Sequence, residues 1–360
     1  MKYWRYVRRV IVSILGSTLL LVIQGLYPGP SQPPWKVTHG RSFKPLNKHR
    51  QEFMTTSRLG QFSLPNLVRG NKFTLTYIRS VFCNAKTNPV PLNISSPKLN
   101  PNGDALAGKD VIVLVISSPV HSELREAIRR TWANSNEAGA AVIFVLGLHW
   151  DLYWNTVLTE EHGRHGDILQ LFTPDTYRNL PEKILLGFHW VMDSVPRIKY
   201  VVKSDDDVYL HLPSVFAVVR NLSVDVIVGA YNPQSIVSRN IKDEWGVSKG
   251  VYLPDYFPPY VSGGSYLMSA HVTRRILSSV SRCRRLHIED VFITGVLAVT
   301  SGLGHLPHSG FSFWGTPKAQ PCDMKAGRVN SVNMGVKQIY KLHVGISIMD
   351  MKSQDISKVQ

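Results

Sequence analysis

Three consecutive carboxylates, Asp205, Asp206 and Asp207, follow the apolar run Tyr200–Lys203 and Ser204. Adjacent like charges repel, so folding alone gives no reason for them. At a strand end they can meet a hard divalent cation, Mg²⁺ or Mn²⁺, which prefers oxygen ligands. Such an ion bridges a diphosphate and neutralises the charge that grows as it leaves. A solvated turn, or a cap for a helix over Val208–Arg220, would use the same residues without chemistry. A second acidic pair, Glu289-Asp290, opens the apolar run Val291–Val299, which is predicted to be helical. Carboxylates suit a helix N-terminus, yet one placed there can also take a proton from an attacking hydroxyl.

Basic and aromatic residues supply the complement. Arg125, Arg129 and Arg130 lie in the predicted helix Ser122–Trp132. Arginine binds phosphate oxygens bidentately, although these positions do not all point one way, so at least one belongs to a solvated face. In Tyr252–Ser269, Pro258-Pro259 forces extended backbone, and Gly263-Gly264 permits torsions and close approaches that a side chain would prevent. Trp245, Tyr252, Tyr256, Phe257, Tyr260 and Tyr266 crowd around that turn. Sugars present C–H faces that pack on such rings, while others of these rings plug the core.

These groups need a scaffold. Asp110–Ser118, Ala141–Gly147, Asp167–Phe172 and Tyr200–Lys203 are apolar runs of strand length, with helical patterns at Ser122–Trp132 and Asn179–Val195. Alternating strands and helices predict an α/β fold, a mostly parallel sheet with helices on both faces. Ligands then bind beyond the carboxyl ends of the strands.

The N-terminus carries Lys2, Arg5, Arg8 and Arg9, then no charge over Val10–Tyr27. At helical rise this stretch spans roughly 27 Å, close to a bilayer core. It is read as an uncleaved signal anchor with basic residues inside and a lumenal body; a cleaved signal peptide is the alternative. The predicted layout is tail 1–9, span 10–27, a Pro- and Ser-rich stem 28–107 and a catalytic domain 108–360. Asn93 and Asn221 open glycosylation sequons, and Cys83, Cys283 and Cys322 allow one disulfide of undetermined pairing. The chain has 360 residues, 44 % of them hydrophobic and 18 % charged, which excludes a wholly disordered protein. Its net charge of +16 invites a nucleic-acid reading. The basic residues are spread over tail, stem and body, which argues against nucleic acid and leaves anionic substrates and membranes.

Together, Arg125–Trp132, Phe144–Gly147, Asp175–Lys183, Lys203–Leu210, Trp245–Ser248, Tyr256–Ser269 and Glu289–Gly295 resemble, in order, the β-1,3-glycosyltransferase family of the Golgi. That family comprises β-1,3-galactosyltransferases and β-1,3-N-acetylglucosaminyltransferases. The resemblance implies a GT-A-type (Rossmann-like) fold, a nucleotide-sugar donor, Mn²⁺ at a DxD site, inversion at the anomeric carbon and a type II Golgi membrane layout. It casts Asp205 and Asp207 as the DxD ends, with Asp207 on the metal and Asp205 and Asp206 nearer the nucleotide. Asp290 becomes the base and Glu289 its support. Arg125 and Arg129 would meet phosphate, and Trp245, Tyr260, Gly263 and Gly264 the sugars. His343 is the candidate to complete the metal site, with His305 and His308 as alternatives. No tryptophan follows His343 as the family pattern would have it, and the cysteines follow that pattern only in part. UDP-galactose is the first-choice donor and UDP-N-acetylglucosamine the next, with an acceptor glycan on glycoprotein or glycolipid. A catalytically inactive glycan-binding member would show a broken acidic motif, and neither is broken here.

Overall fold

The computed structural model describes residues 71–84, 92–134, 139–222 and 225–359. The predicted tail, the span 10–27 and the stem up to residue 70 lie outside the described residues. Among the described residues, no helix is long and apolar enough to cross a membrane.

In chain order the body runs α1 (Lys72–Tyr77), β1 (Val111–Ile116), α2 (Ser122–Arg129), β2 (Ala140–Leu148), α3 (Leu152–His165), β3 (Ile168–Pro174) and α4 (Leu180–Ser194). There follow β4 (Tyr200–Asp205), β5 (Tyr209–Leu210), α5 (Leu212–Arg220), β6 (Val226–Asn232), β7 (Tyr260–Ser269), α6 (Ala270–Val280), β8 (Gly304–Pro307), β9 (Asn330–Ser331) and α7 (Val336–Val359). A π-helical segment, Val291–Leu297, precedes β8. The main sheet has seven strands in the order β3-β2-β1-β4-β7-β6-β8. Its β3-β2-β1-β4 half is parallel, β7 runs antiparallel to β4 and β6, and β8 is parallel to β6.

Strand β1 shows why the sheet lies at the centre. All six of its residues are buried, and its alternate side chains feed two cores. Ile112, Leu114 and Ile116 join one core, while Val111, Val113 and Val115 join the other. Two-residue alternation sends neighbours to opposite faces, and only a strand covered on both faces can be apolar throughout. Each such side chain contributes about 1.5–3 kcal/mol on burial. The connections through α2, α3 and α4 place the ends of β1, β2, β3 and β4 along one edge, where the acidic triplet emerges.

Three expectations change. The helix predicted from Val208 begins at Leu212, because Tyr209–Leu210 pairs with Asn330–Ser331 and Pro213 stands in the first turn of α5. Gly263 and Gly264 do not make a turn; both lie within strand β7. Part of the stretch assigned to the stem on composition is built into the body. Ile78 and Phe82 are fully buried, and Cys83 forms a disulfide with Cys283. Tyr77 and Phe82 also pack edge-on or tilted against each other and Tyr252. Aromatic contacts and the cross-link hold this segment where its polar composition suggested a linker. Cys322 is free and exposed.

Candidate active site

Strand β4 delivers the triplet with its three carboxylates diverging. Asp205 is the last strand residue, and its Oδ1 accepts from Lys203 Nζ at 2.6 Å. Asp206 is turned inward, where its Oδ2 meets Ser117 Oγ at 2.7 Å and His121 Nδ1 at 2.9 Å. It therefore ties the end of β4 to the loop after β1 and does not reach outward toward a nucleotide. Asp207 is partly exposed, and its backbone carbonyl accepts from Met334 N–H at 2.7 Å. Burial, with Asp205 and Asp206 close by, pushes the Asp207 carboxyl up to about 7. Burial likewise raises Asp205, against the pull of Lys203.

The second acidic pair arrives from the start of the π-helical segment. Asp290 caps it, accepting from Val291 N–H at 2.8 Å and from Gly263 N–H at 3.1 Å. Burial raises its carboxyl against those two donors. Glu289 is buried and accepts from Tyr266 O–H at 2.8 Å, with Lys203 Nζ 3.5 Å away. Burial pushes it up to about 7 despite the lysine. Lys203 also donates to the carbonyl of Gly263, so one buried ammonium joins the two acidic motifs through β7. That ammonium stays charged, because Asp205 and Glu289 more than offset its burial. It cannot compensate Asp205, Glu289 and Asp290 together, so the carboxylates remain raised.

The glycines of β7 matter for proximity. A Cβ on Gly263 would lie 2.9 Å from Glu289 Oε2, and one on Gly264 would lie 2.7 Å from Val332 Cγ1. Tyr260 O–H is held between Asn232 Nδ2 and Ser235 Oγ, both at 3.1 Å. Trp245 donates from Nε1 to Tyr177 O–H at 2.8 Å and is otherwise largely exposed. Burial, with Asp290 adding to it, raises the Tyr177 hydroxyl, and the carbonyl of Glu244 beside Trp245 lies 3.0 Å from His287 Nε2, just ahead of the second acidic motif.

Three assignments are corrected. Arg125 is fully buried, and its five donors all have partners in Glu161, Ser117, Ser118 and Pro119. Arg129 is committed to Asp167 and Glu161. Arg125 has no donor left for phosphate and instead shapes the loop after β1, while Arg129 is turned onto two carboxylates. His343 spends Nδ1 on Tyr209 O–H at 2.9 Å. Among the described residues no three His, Cys, Asp or Glu side chains are gathered as a metal cluster, so His343 does not complete one with Asp205 and Asp207. Of the alternatives, His305 is buried against Thr294 O at 2.5 Å, and His308 accepts from Gly310 N–H. Asn93 and Asn221 are both exposed.

Residues 123–307, just over half of the chain, match the family described as Galactosyltransferase. The chain belongs to that family. Human N-acetyllactosaminide beta-1,3-N-acetylglucosaminyltransferase 4 is 31% identical over 225 residues, covering 60% of this chain and 58% of the relative. Lactosylceramide 1,3-N-acetyl-beta-D-glucosaminyltransferase A of Danio rerio is 29% identical over 245 residues, 63% of this chain and 64% of the relative. Beta-1,3-galactosyltransferase 1 of Mus musculus is 29% identical over 249 residues, 67% of this chain and 76% of the relative. The chain thus spans less than two thirds of the length of the first two.

Sequence reasoning overlooked several residues that hold this galactosyltransferase-family site together. Lys203 carried a legible signal, since a lysine inside an apolar strand must find partners. His121 offered only its place ahead of α2. Lys183, which donates to Ser117 O at 2.8 Å and Asp175 Oδ2 at 3.1 Å, and Tyr177 both lay within a motif already singled out.

Proposed function

We propose that this chain is an inverting glycosyltransferase of GT-A type. It would move a hexose, galactose first, from a UDP-sugar to the 3-hydroxyl of an acceptor glycan on glycoprotein or glycolipid, in β linkage. The observation that carries the reading is the joining of two acidic motifs, 84 residues apart (289 − 205), by one buried cation, Lys203. Family membership and relatives named for β-1,3 transfer support it. A β-1,3-N-acetylglucosaminyltransferase is the alternative, and one acetamide group separates the two donors.

The donor set suits Mn²⁺: Asp205 and Asp207 offer hard oxygen atoms at the end of β4, and burial with Asp205 and Asp206 close by raises the Asp207 carboxyl, which a cation would relieve. When bound, Mn²⁺ would neutralise the diphosphate of the leaving UDP. Asp206, committed to Ser117 and His121, would hold the loops on which the donor rests. Asp290 keeps its carboxylate fixed by two backbone donors, and its raised pKa makes it a stronger base than a free aspartate. The acceptor 3-oxygen bonds to the anomeric carbon from the face opposite UDP. The bond from that carbon to the phosphate oxygen breaks, its electron pair leaves with UDP, and the hydroxyl proton passes to Asp290. Glu289, buried on Tyr266 and beside Lys203, supports Asp290 from the preceding position. A Golgi membrane, with the body lumenal, would be the place of action, anchored through residues 10–27.

The test is a donor panel on the full-length chain, read by released UDP with and without Mn²⁺. Turnover should vanish in Asp207→Asn and Asp290→Asn. Retained turnover with unchanged metal dependence in either variant would sink the assignment.

A further inference from the structure

A second set of large rings stands at the edge of the site. Trp314 is 66% exposed and Phe313 58% exposed, and Trp245 is 56% exposed. Folding gives no reason to display three such rings together. Trp314 packs edge-on to Trp245 with ring centroids 6.4 Å apart, although 69 residues (314 − 245) separate them.

Both indoles are presented by fixed supports. Thr316 N–H donates to Phe313 O at 3.0 Å, closing a four-residue turn with Trp314 at its corner. Gly315 supplies the positive φ of +92° that such a turn requires at its third position. The turn is anchored at its base, where Ser312 N–H and Oγ bond Asn330 Oδ1 at 2.7 and 2.6 Å. Asn330 in turn donates to Ser265 Oγ at 2.6 Å, and Ser265 pairs with Ser204, next to the acidic triplet. Trp245 is fixed from the other side by Tyr177, and the carbonyl of its neighbour Glu244 lies 3.0 Å from His287 Nε2, three residues before Asp290. A cleft of about 400 Å³ opens at Tyr177, bounded also by Arg178, Ile241, Lys242 and Glu244. That volume lies within the range of small-ligand sites.

We propose that Trp314 and Trp245 form an aromatic clamp that binds the acceptor sugar by the flat C–H face of its ring, beside Asp290. This rests on the transferase reading and deepens it. The occupant is the acceptor and not the donor, because the contact of Glu244 with His287 ties Trp245 to the segment that carries Asp290. The donor diphosphate belongs to the Asp205 and Asp207 side. The turn holds Trp314 in place before the acceptor arrives, so little ordering is needed on binding.

The experiment uses the full-length chain and the variants Trp314→Ala, Trp314→Phe and Trp245→Ala, with methyl β-galactoside and methyl N-acetyl-β-glucosaminide as acceptor probes. Trp314→Ala and Trp245→Ala should each raise the acceptor KM about tenfold, the size of one aromatic contact. The donor KM and the slow hydrolysis of donor without acceptor should stay within about twofold by the same scale. Trp314→Phe should restore most of the loss. An unchanged acceptor KM in folded Trp314→Ala, or a donor KM that rises in step, overturns the clamp. If the wild-type chain turns over no donor, the transferase reading fails and the clamp is judged by saturation-transfer NMR with the same glycosides. Ring-proton transfer lost in Trp314→Ala sustains it, and no transfer in the wild type overturns it.

Discussion

Lys203 Nζ stands 2.6 Å from Asp205 Oδ1, a lysine tied to the carboxylate two residues on. Its reach does not end there: Glu289 Oε2 lies 3.5 Å away and the Gly263 carbonyl is also bonded. Lys203 is buried, with four raised acidic groups around it, Asp205, Asp207, Glu289 and Asp290. Its replacement by Met leaves uncompensated charge in the core. The folded state should lose about 3 kcal/mol, as for a broken buried ion pair. Chemical denaturation would check this, and stability equal to wild type would show that the bridge does not hold the site.

Gly263→Ala isolates the spacing of the second acidic motif. The added methyl meets Glu289 Oε2 at 2.9 Å and Asp290 Cβ at 3.4 Å. Glu289 cannot swing away freely, because Tyr266 holds its other oxygen. Turnover should fall by at least about tenfold, while thermal stability changes by only about 1 kcal/mol. Steady-state kinetics beside a melting curve separate the two effects. Unchanged kcat would argue against a role for that spacing.

Glu289 makes stability depend on pH. Its folded pKa of about 7 lies above the ordinary 4.5, so the folded chain binds the proton more tightly than the unfolded one. Stability from this group is therefore fully present below pH 4.5 and is lost as pH rises through about 7. Glu289→Gln, which carries no charge, removes that loss. Relative to wild type, the variant should gain stability between pH 5 and about pH 8. Melting curves at the two pH values measure it, and a gap that does not widen in this direction refutes the raised pKa.

The Cys83–Cys283 disulfide closes a loop with a sequence separation of 200 residues and fastens the segment beginning at Asn71 to the body. Cys283→Ser should cost about 4 kcal/mol, within the range for native disulfides. Cys322→Ser, at an exposed free thiol, should cost less than about 0.5 kcal/mol. Denaturant midpoints of the two variants give the comparison.

Much of the architecture was legible in the chain. The runs Asp110–Ser118, Ala141–Gly147 and Tyr200–Lys203 became β1, β2 and β4, because a strand buried on both faces must be apolar at every position. The two acidic motifs were legible as well, since repelling carboxylates are hard to explain by folding alone. Local pattern also gave the close approach at Gly263, though not that the glycine sits within a strand. Other features depend on which distant segments meet. Arg125 and Arg129 look ready for phosphate until Glu161 and Asp167 are found to occupy them. His343 looks ready for metal until α7 delivers it to Tyr209. Lys203 gains its place as a bridge only when β7 pairs beside β4 and carries Gly263 to it. The spacing along a chain determines the elements, whereas donors and charges are satisfied in space. Tertiary packing therefore decides which side chains remain free to meet a ligand.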